Sequence, residues 1–521
     1  MKVLKNNIIS FIKRIILFFP LLIFLGKRSL LAYDEGLYAL QAKWILQNND
    51  WITPTKWGAI VTDRTISVQF LIALSQKIFG QNMFAIYIPN ILFGILMIFL
   101  TYKLHLEILN KKLPIISALI LATTFLWINY FHMATQDLIF SSIITLGIYG
   151  SIKAQKDKKS IFYLLSGLWI GLAFMIKTYL VAVPCIAILP FFWSSRILRN
   201  IYFWFGLIIG FIPFTIWGFE IVSLHGWDSL SGLYKKLISL SEQNTFTNPF
   251  YFYIWNFTIN SLPWSLFSIL GFLKVAKREN NLSNYFLYKY PISVMVLLSL
   301  FSTKTPYYPL QILSLTSINA YLGINYIFTN KDIISKNFIR LISLVIPTFV
   351  LITIVFLNAK NYFKEFDTNT ITLLNIGLIF YSFCWLILSI SRKLKHKLIF
   401  VILGPYLLTS FIVFSGVLTD RSKSIRVATQ KAIGENFLQN KVVEVVRNEI
   451  FNENIDKKII KIGIFTPKLA NRMLNEIEDL KPNNFAWAIL PENQNLKSTS
   501  NYEIVYDSKI LTPWKLIKKI E

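Results

Sequence analysis

Long apolar runs separated by short polar joints make up most of residues 8–420. Four clear examples are Ile115 to Phe131, Ile201 to Phe219, Leu341 to Leu357 and Leu398 to Leu418. A helix needs about 20 mainly apolar residues to cross the hydrocarbon core of a bilayer, so these runs predict membrane spans. The pattern therefore predicts an all-α polytopic membrane protein.

The polar joints alternate between segments rich in Lys and Arg and segments poor in them. Basic joints stay on the cytoplasmic side, so the alternation predicts about 13 spans, a cytoplasmic N-terminus and an extracytoplasmic C-terminus. The first apolar stretch ends near Leu25, lacks a small-residue cleavage site and is interrupted by Lys13 and Arg14. We interpret it as an uncleaved first span rather than a signal peptide.

The chain divides by composition into residues 1–420, the predicted transmembrane domain, and residues 421–521, where Lys, Glu, Asn and Asp become frequent. Within the first part, the outer loop at residues 27–82 is long enough to be functional. Gly36 to Leu46 has the composition of a helix. Ile66 to Ile78 predicts an amphipathic helix at the membrane interface, with Phe70, Leu71, Leu74 and Ile78 as its apolar stripe.

The tail predicts a small soluble α/β domain on the extracytoplasmic side. Its expected elements are a buried strand at Lys458 to Phe465, an amphipathic helix at Leu469 to Leu480, and strands at Phe485 to Leu490 and Tyr502 to Tyr506. It contains no glycine-rich phosphate loop and no metal-ligand spacing. Sequence alone therefore assigns this domain no chemistry.

Composition supports the membrane assignment and argues against a nucleic-acid-binding protein. The chain is 54% hydrophobic and 15% charged, with a mean hydropathy of +0.52 and a net charge of +26. Nucleic-acid binding would need the basic residues on one soluble face, whereas here they lie between spans, beside membrane lipids. Cys185 and Cys384 lie within apolar runs and are expected to be buried hydrophobes rather than a disulfide or a metal site.

Ionisable residues at the predicted outer face are the candidates for chemistry. Asp34 and Glu35 follow the first span, Asp137 lies at a later outer corner, and Arg64 and Lys304 are nearby cations by topology. Helix capping could explain either aspartate, and Lys304 could reach the lipid head groups as an anchor. Their shared face favours a substrate with a phosphate head and an apolar tail, such as a lipid-linked sugar.

Several motifs resemble the bacterial GT-C glycosyltransferases, most closely the lipid A aminoarabinose transferase group, which is related to the protein O-mannosyltransferases. Tyr33 to Ala39 followed by Asn49 to Pro54 is similar to the first outer loop of that group. Three later stretches also match in order, namely Ala134 to Leu138, Gly171 to Lys177 and Ser302 to Tyr308. The resemblance implies a GT-C fold of about 13 spans with an external C-terminal domain. The apolar runs and basic joints separately predict the same number of spans and the same side for the C-terminus.

The resemblance implies roles for individual residues. Asp34 would be the catalytic acid-base carboxylate and Asp137 the supporting acid. The substrate-binding candidates are Glu35, Tyr38, Arg64, Lys304, Tyr307 and Tyr308, with Lys304 and Tyr308 beside the lipid phosphate. Some members bind a divalent metal at positions that match Asp63 and His225, so a metal ion is a possible cofactor. Leu37 replaces the usual Arg, and Thr62 to Ile66 lacks the paired prolines.

The leading hypothesis is an inverting glycosyltransferase of the plasma (inner) membrane. It would move a sugar from a polyprenyl-phosphate donor to a hydroxyl of a glycolipid, polysaccharide or protein. A transporter or flippase of lipid-linked sugars is the alternative, although transporters usually place ionisable residues near the midplane. A non-catalytic binder of such lipids also remains open. The residues do not reveal the sugar or the acceptor.

Overall fold

A computed structural model describes residues 16–24, 26–110, 113–242, 248–277, 281–330, 332–359, 367–447, 451–490 and 501–520. Most of the predicted first span and its basic flank lie outside these residues. Numbered in chain order and leaving out the shortest helical turns, the helices are α1 Leu37–Asn48, α2 Ser67–Phe79, α3 Met83–Leu109, α4 Pro114–Ala122, α5 Phe125–Phe131, α6 Gln136–Asp157, α7 Ser160–Lys177, α8 Ala182–Ser194, α9 Ile201–His225, α10 Ser231–Glu242, α11 Phe252–Asn260, α12 Trp264–Ala276, α13 Tyr290–Leu300, α14 Leu313–Thr329, α15 Ile333–Ala359, α16 Thr368–Ile390, α17 Leu394–Phe414, α18 Lys423–Glu435 and α19 Glu453–Phe465.

The helices confirm a mainly helical, apolar architecture but not the count of spans. Among the described residues, seven helical stretches are long and apolar enough to cross a membrane, or up to nine if each of two bent pairs forms one span. The bent pairs are α4 with α5, at 67°, and α11 with α12, at 120°. Breaks of this kind divide the apolar runs into shorter helices. The expected count of about 13 spans, which was based on those runs, is therefore not confirmed.

The helical stretch formed by α7 and α8 is interrupted between Lys177 and Ala182. Lys177 has φ −136° and ψ 31°, and Thr178 has φ 31° and ψ −107°, which are not helical values. The chain therefore leaves α7 at Lys177 before α8 begins. This break brings the Lys177 side chain to the end of a helix rather than its middle.

Close packing of α7 against α9 fixes the position of Lys177. A Cβ on Gly167 would lie 2.0 Å from the carbonyl oxygen of Phe203, and a Cβ on Gly171 would lie 2.2 Å from the carbonyl carbon of Gly210. Small residues spaced by four allow helix backbones to approach in this way within membranes. Replacement of either glycine by a larger residue would push α7 away from α9.

The loop at residues 27–82 is ordered around two helices. An irregular turn at Ala32–Gly36, in which Tyr33 and Asp34 have non-helical φ and ψ, leads into α1, which ends at Asn49 in the left-handed conformation. A two-stranded antiparallel hairpin follows, with β1 Thr55–Lys56 and β2 Ala59–Ile60, before α2 begins. Both helices predicted in this loop are present, and Phe70, Leu74 and Ile78 on α2 remain exposed to the surroundings.

The C-terminal part contains a five-stranded mixed sheet packed on α19. The strands are β3 Val442–Val446, β4 Lys468–Leu474, β5 Phe485–Ile489, β6 Tyr502–Tyr506 and β7 Trp514–Lys519. Their order is β4-β3-β5-β7-β6, with β3 parallel to both neighbours and the remaining pairs antiparallel. All five residues of β5 are buried, which places the core of this domain under the central strand.

Two elements predicted for this domain are wrong in type. Lys458 to Phe465 belongs to helix α19 rather than to a strand, and Leu469 to Leu480 begins with strand β4 rather than a helix. The isoleucine-rich run suggested a strand, but the Asn452 side chain caps the backbone amides of Asn454 and Ile455 at 3.0 and 3.1 Å and starts a helix. The strands predicted near 485–490 and 502–506 are confirmed.

The C-terminal part lies directly on the 27–82 loop. The ammonium of Lys43 donates hydrogen bonds to the carbonyls of Gly463, Ile464 and Thr466 at 3.0, 2.9 and 2.7 Å. These carbonyls end α19, where a cation is favoured by the helix dipole. Ser29 also forms a parallel bridge with Asp420. The loop and the C-terminal domain therefore share one face of the helical bundle.

Candidate active site

Asp34 lies on a strained turn at the entrance to α1. Its backbone has φ 56° and ψ −79° inside the irregular turn Ala32–Gly36. A non-glycine residue in such a conformation costs about 1–3 kcal/mol and is retained when the surrounding contacts impose it. The side chain of Asp34 is 48% exposed, so its carboxylate is accessible to a substrate.

Arg64 joins three groups of the outer loop. Its Nη1 donates to Asp34 Oδ1 at 2.9 Å and also to the hydroxyl of Tyr38, and its Nε donates to Asp63 Oδ2 at 3.2 Å. The guanidinium carbon lies 5.3 Å from the centre of the Tyr38 ring. Arg64 thus orients the Asp34 carboxylate while part of its own surface remains open.

A second carboxylate–cation pair lies deeper, where α6 and α7 meet. Asp137 in the first turn of α6 pairs with the ammonium of Lys177 at the end of α7, and both side chains are buried. A buried charge requires such a partner, because removal from water is expensive for each ion alone. The pair therefore holds a cation close to the N-terminus of α6 and the C-terminus of α7.

Tyrosines connect the two pairs. The Lys177 ammonium lies 4.7 Å from the centre of the Tyr307 ring and 5.2 Å from that of Tyr308. Burial raises the pKa of both tyrosines, and the negative charges of Asp137 and Asp34 raise it further, whereas Lys177 lowers that of Tyr308. The charges of Asp34 and Asp137 thus both act on these two phenols.

Tyr38 provides a second connection between the pairs. Burial raises the pKa of its hydroxyl, Arg64 opposes this, and the charges of Asp34 and Asp137 both raise it. Thr65, beside Arg64, donates a hydrogen bond from its hydroxyl to the carbonyl of Met175. The outer loop is thereby tied to the last turn of α7, which carries Lys177.

Glu35 has a different environment from Asp34, although the two are adjacent. It is 1% exposed, and its carboxylate accepts hydrogen bonds from the backbone amides of Leu31 at 3.0 Å and Ala134 at 3.1 Å. Burial raises its pKa, while Arg421 and the two amides oppose the rise. The expected contact of Glu35 with substrate does not fit this geometry, because both oxygens already bind the backbone.

Replacing Glu35 by alanine is expected to destabilise the protein rather than remove a reacting group. Two buried amides, those of Leu31 and Ala134, would lose their acceptor at about 1–3 kcal/mol each. Thermal unfolding in detergent should show a lower transition temperature for Glu35→Ala, with a smaller decrease for Glu35→Gln. An unchanged transition temperature for the alanine variant would contradict this structural role.

Lys304 is not part of the cluster in the way that its sequence position suggested. Its side chain is buried, and its ammonium donates to the carbonyl of Phe301 at 2.6 Å, within its own turn. In the part of the chain that the structure describes, Lys304 forms no ion pair with Asp34 or Asp137. Lys177 occupies that place instead, and the sequence signal for it was the stretch Gly171 to Lys177.

The residues suggested for a metal do not fit one. Asp63 is engaged by Arg64, and His225 Nε2 lies 3.0 Å from the hydroxyl of Thr53. Across the described ranges, no group of three His, Cys, Asp or Glu side chains is arranged to hold a metal ion. The geometry gives the metal hypothesis no support.

Comparisons with known proteins agree with the motifs of the outer loop. Residues 63–217 match the model of the dolichyl-phosphate-mannose-protein mannosyltransferase family. An undecaprenyl phosphate-α-4-amino-4-deoxy-L-arabinose arabinosyl transferase of Edwardsiella ictaluri is 26% identical over 315 residues, 56% of each chain. Its counterpart in Yersinia enterocolitica is 30% identical over 232 residues, 43% of this chain and 40% of that protein. The chain thus spans about half the length of the curated relatives it matches.

The fold similarity extends over nearly the whole chain. The crystal structure of ArnT from Cupriavidus metallidurans bound to undecaprenyl phosphate superposes with a TM-score of 0.78 at 13% identity, covering 98% of both chains. At this identity the superposition concerns the fold, including the C-terminal sheet. By its sequence matches and its fold, the chain is related to the GT-C glycosyltransferases of the lipid A aminoarabinose transferase group.

Proposed function

We propose that this protein is an inverting glycosyltransferase that uses a polyprenyl-phosphate-linked sugar at the extracytoplasmic face of the plasma membrane. The observation that carries the proposal is that the loop segment with the pair Asp34–Arg64 is bonded, through Thr65 and Met175, to the end of α7, where Lys177 pairs with Asp137 beside Tyr307 and Tyr308. An accessible carboxylate beside one cation, with a second cation at the end of the helix bonded to the same loop, matches a reaction in which a hydroxyl loses a proton and a phosphate leaves. The relative bound to undecaprenyl phosphate supports this class of donor.

In the proposed reaction Asp34 accepts the proton of the acceptor hydroxyl. The acceptor oxygen forms a bond to the anomeric carbon of the sugar as the bond from that carbon to the phosphate oxygen breaks. Polyprenyl phosphate leaves with the electron pair, and Arg64 and Lys177 stabilise its negative charge. A single displacement of this kind inverts the anomeric configuration. Asp137 keeps Lys177 in place and balances its charge within the bundle.

The position of the cations favours chemistry over transport. Arg64 is 26% exposed beside the half-exposed Asp34, whereas Lys177 is buried against Asp137 at the helix ends. A transporter would be expected to carry its ionisable residues on broken helices near the membrane midplane. The acceptor would approach from the open side of Asp34, next to the outer loop.

The proposal is tested by comparing a deletion strain with its parent. Mass spectrometry of the glycolipids and glycoproteins of both strains should reveal a sugar modification that is present in the parent and absent from the deletion. A copy of the wild-type gene should restore it, and a copy carrying Asp34→Asn should not. Identical envelope glycans in both strains, under conditions where the protein is produced, would overturn the proposal.

A further inference from the structure

Helix α19 of the C-terminal domain packs against the turn that carries Asp34. Asp456, in the first turn of α19, is 4% exposed and lies against the 27–82 loop. Its Oδ2 accepts hydrogen bonds from the hydroxyl of Tyr33 at 2.8 Å and from the ammonium of Lys56 at 2.6 Å. Its Oδ1 accepts one from Trp57 Nε1 at 3.0 Å. All three donors belong to the outer loop.

The other side of the turn also rests on α19. A Cβ on Gly36 would lie 3.2 Å from side-chain carbons of Ile460 and of Ile464, and 2.3 Å from the carbonyl oxygen of Leu31. Tyr33 and Gly36 flank Asp34 in sequence, so the same helix contacts the residues on both sides of the strained position. Lys43 secures the far end of this helix through three carbonyls.

These contacts explain how a strained backbone can persist at Asp34. A non-glycine residue with φ 56° and ψ −79° relaxes unless its neighbours are restrained. Arg64 holds the Asp34 carboxylate, but it does not hold the main chain. The hydrogen bond from Tyr33 to Asp456 and the packing of Gly36 on α19 supply that second restraint.

We propose that Asp456 is a positioning residue, which acts through Tyr33 to hold the Asp34 carboxylate in the orientation needed for proton transfer. The C-terminal domain would thus take part in the reaction without contributing a reacting group. The inference rests on the proposed role of Asp34. Small misplacements of a catalytic group can cost about a hundredfold in rate, so loss of a single anchoring hydroxyl is a measurable change.

The test compares Tyr33→Phe, Asp456→Ala and Asp456→Asn with Glu444→Gln in the full-length protein. Glu444 is a buried acid of the same domain that pairs with Arg472 and not with the turn, so it is a matched control. Tyr33→Phe and Asp456→Ala are expected to lower kcat about ten- to hundredfold with an unchanged KM for the lipid-linked donor. Asp456→Asn, which keeps one acceptor oxygen, should be intermediate, and Glu444→Gln should match the wild type.

A second measurement separates this inference from the proposed function. Hydrogen–deuterium exchange of the backbone amides in residues 31–38 should be faster in Tyr33→Phe and Asp456→Ala than in the wild type and in Glu444→Gln. Faster exchange in a protein that shows no transferase activity would overturn the proposed function alone. Unchanged exchange together with unchanged kcat in Tyr33→Phe would overturn the positioning role.

Discussion

Asparagine in place of Asp34 is expected to lower the kcat of sugar transfer by about a hundred- to ten-thousandfold, the range that a general base contributes. The substitution keeps the size of the side chain and one oxygen for the hydrogen bond from Arg64. It removes the charge that would accept the proton of the acceptor hydroxyl. The measurement is transfer from a polyprenyl-phosphate sugar at saturating donor.

The folding of the Asp34→Asn variant must be checked separately from its transfer activity. Asp34 is half exposed, so Asp34→Asn should insert into membranes and elute from gel filtration as the wild type does. Asp228→Asn, an exposed acid in a later outer segment, is a suitable control and should retain full transfer. Transfer by Asp34→Asn at the wild-type rate would remove Asp34 from the mechanism.

The second large effect is expected at the buried pair of Asp137 and Lys177. Replacing either residue alone, in Asp137→Asn or Lys177→Met, leaves an unpaired charge in the bundle, which costs about 3–5 kcal/mol. Both single variants should therefore unfold at lower temperature in detergent and accumulate poorly in membranes. Because Lys177 would also hold the donor phosphate, Lys177→Met should lose binding of undecaprenyl phosphate.

The double variant Asp137→Asn/Lys177→Met distinguishes the two roles of this pair. It removes both charges, so its unfolding temperature should recover towards that of the wild type. It should still fail to bind undecaprenyl phosphate, because the cation is absent. Recovery of donor binding and transfer together with stability would show that Lys177 serves the fold alone.

The sequence predicted at which end of an apolar run a residue lies. It did not predict the direction in which the side chain points within the helical bundle. Lys177 and Lys304 each lie at the end of an apolar run, but the sequence suggested Lys304 as the candidate cation and showed Lys177 only as the end of the family-like stretch Gly171 to Lys177. In the structure Lys177 points between Asp137 and the two tyrosines, whereas Lys304 turns back to the carbonyl of Phe301. The direction of each side chain depends on tertiary contacts, which the order of apolar and polar residues does not reveal.

The fold shows a similar division between what could and could not be predicted. Apolar runs and the polar loop predicted helices α1 and α2 and the mainly helical core. In the tail, isoleucine-rich residues 458–465 fitted a buried strand as well as a helix, since short apolar runs are ambiguous. The hydrogen bonds from two backbone amides to the Asn452 side chain cap this segment and favour the helix. As a result the contact of Asp456 with Tyr33, more than 400 residues away, could not be inferred from the sequence.

The central claim is that Asp34, Arg64 and Lys177 catalyse the transfer of a sugar from a lipid phosphate. It is tested most directly with purified protein in detergent, a polyprenyl-phosphate donor labelled in its sugar, and the cell envelope of the deletion strain, with its lipids, polysaccharides and proteins, as acceptor. Detergent abolishes the two compartments that a flippase requires, so only chemistry can change the donor. The account predicts release of polyprenyl phosphate in an amount equal to the label gained by an acceptor. A donor that stays intact with this acceptor present would contradict it.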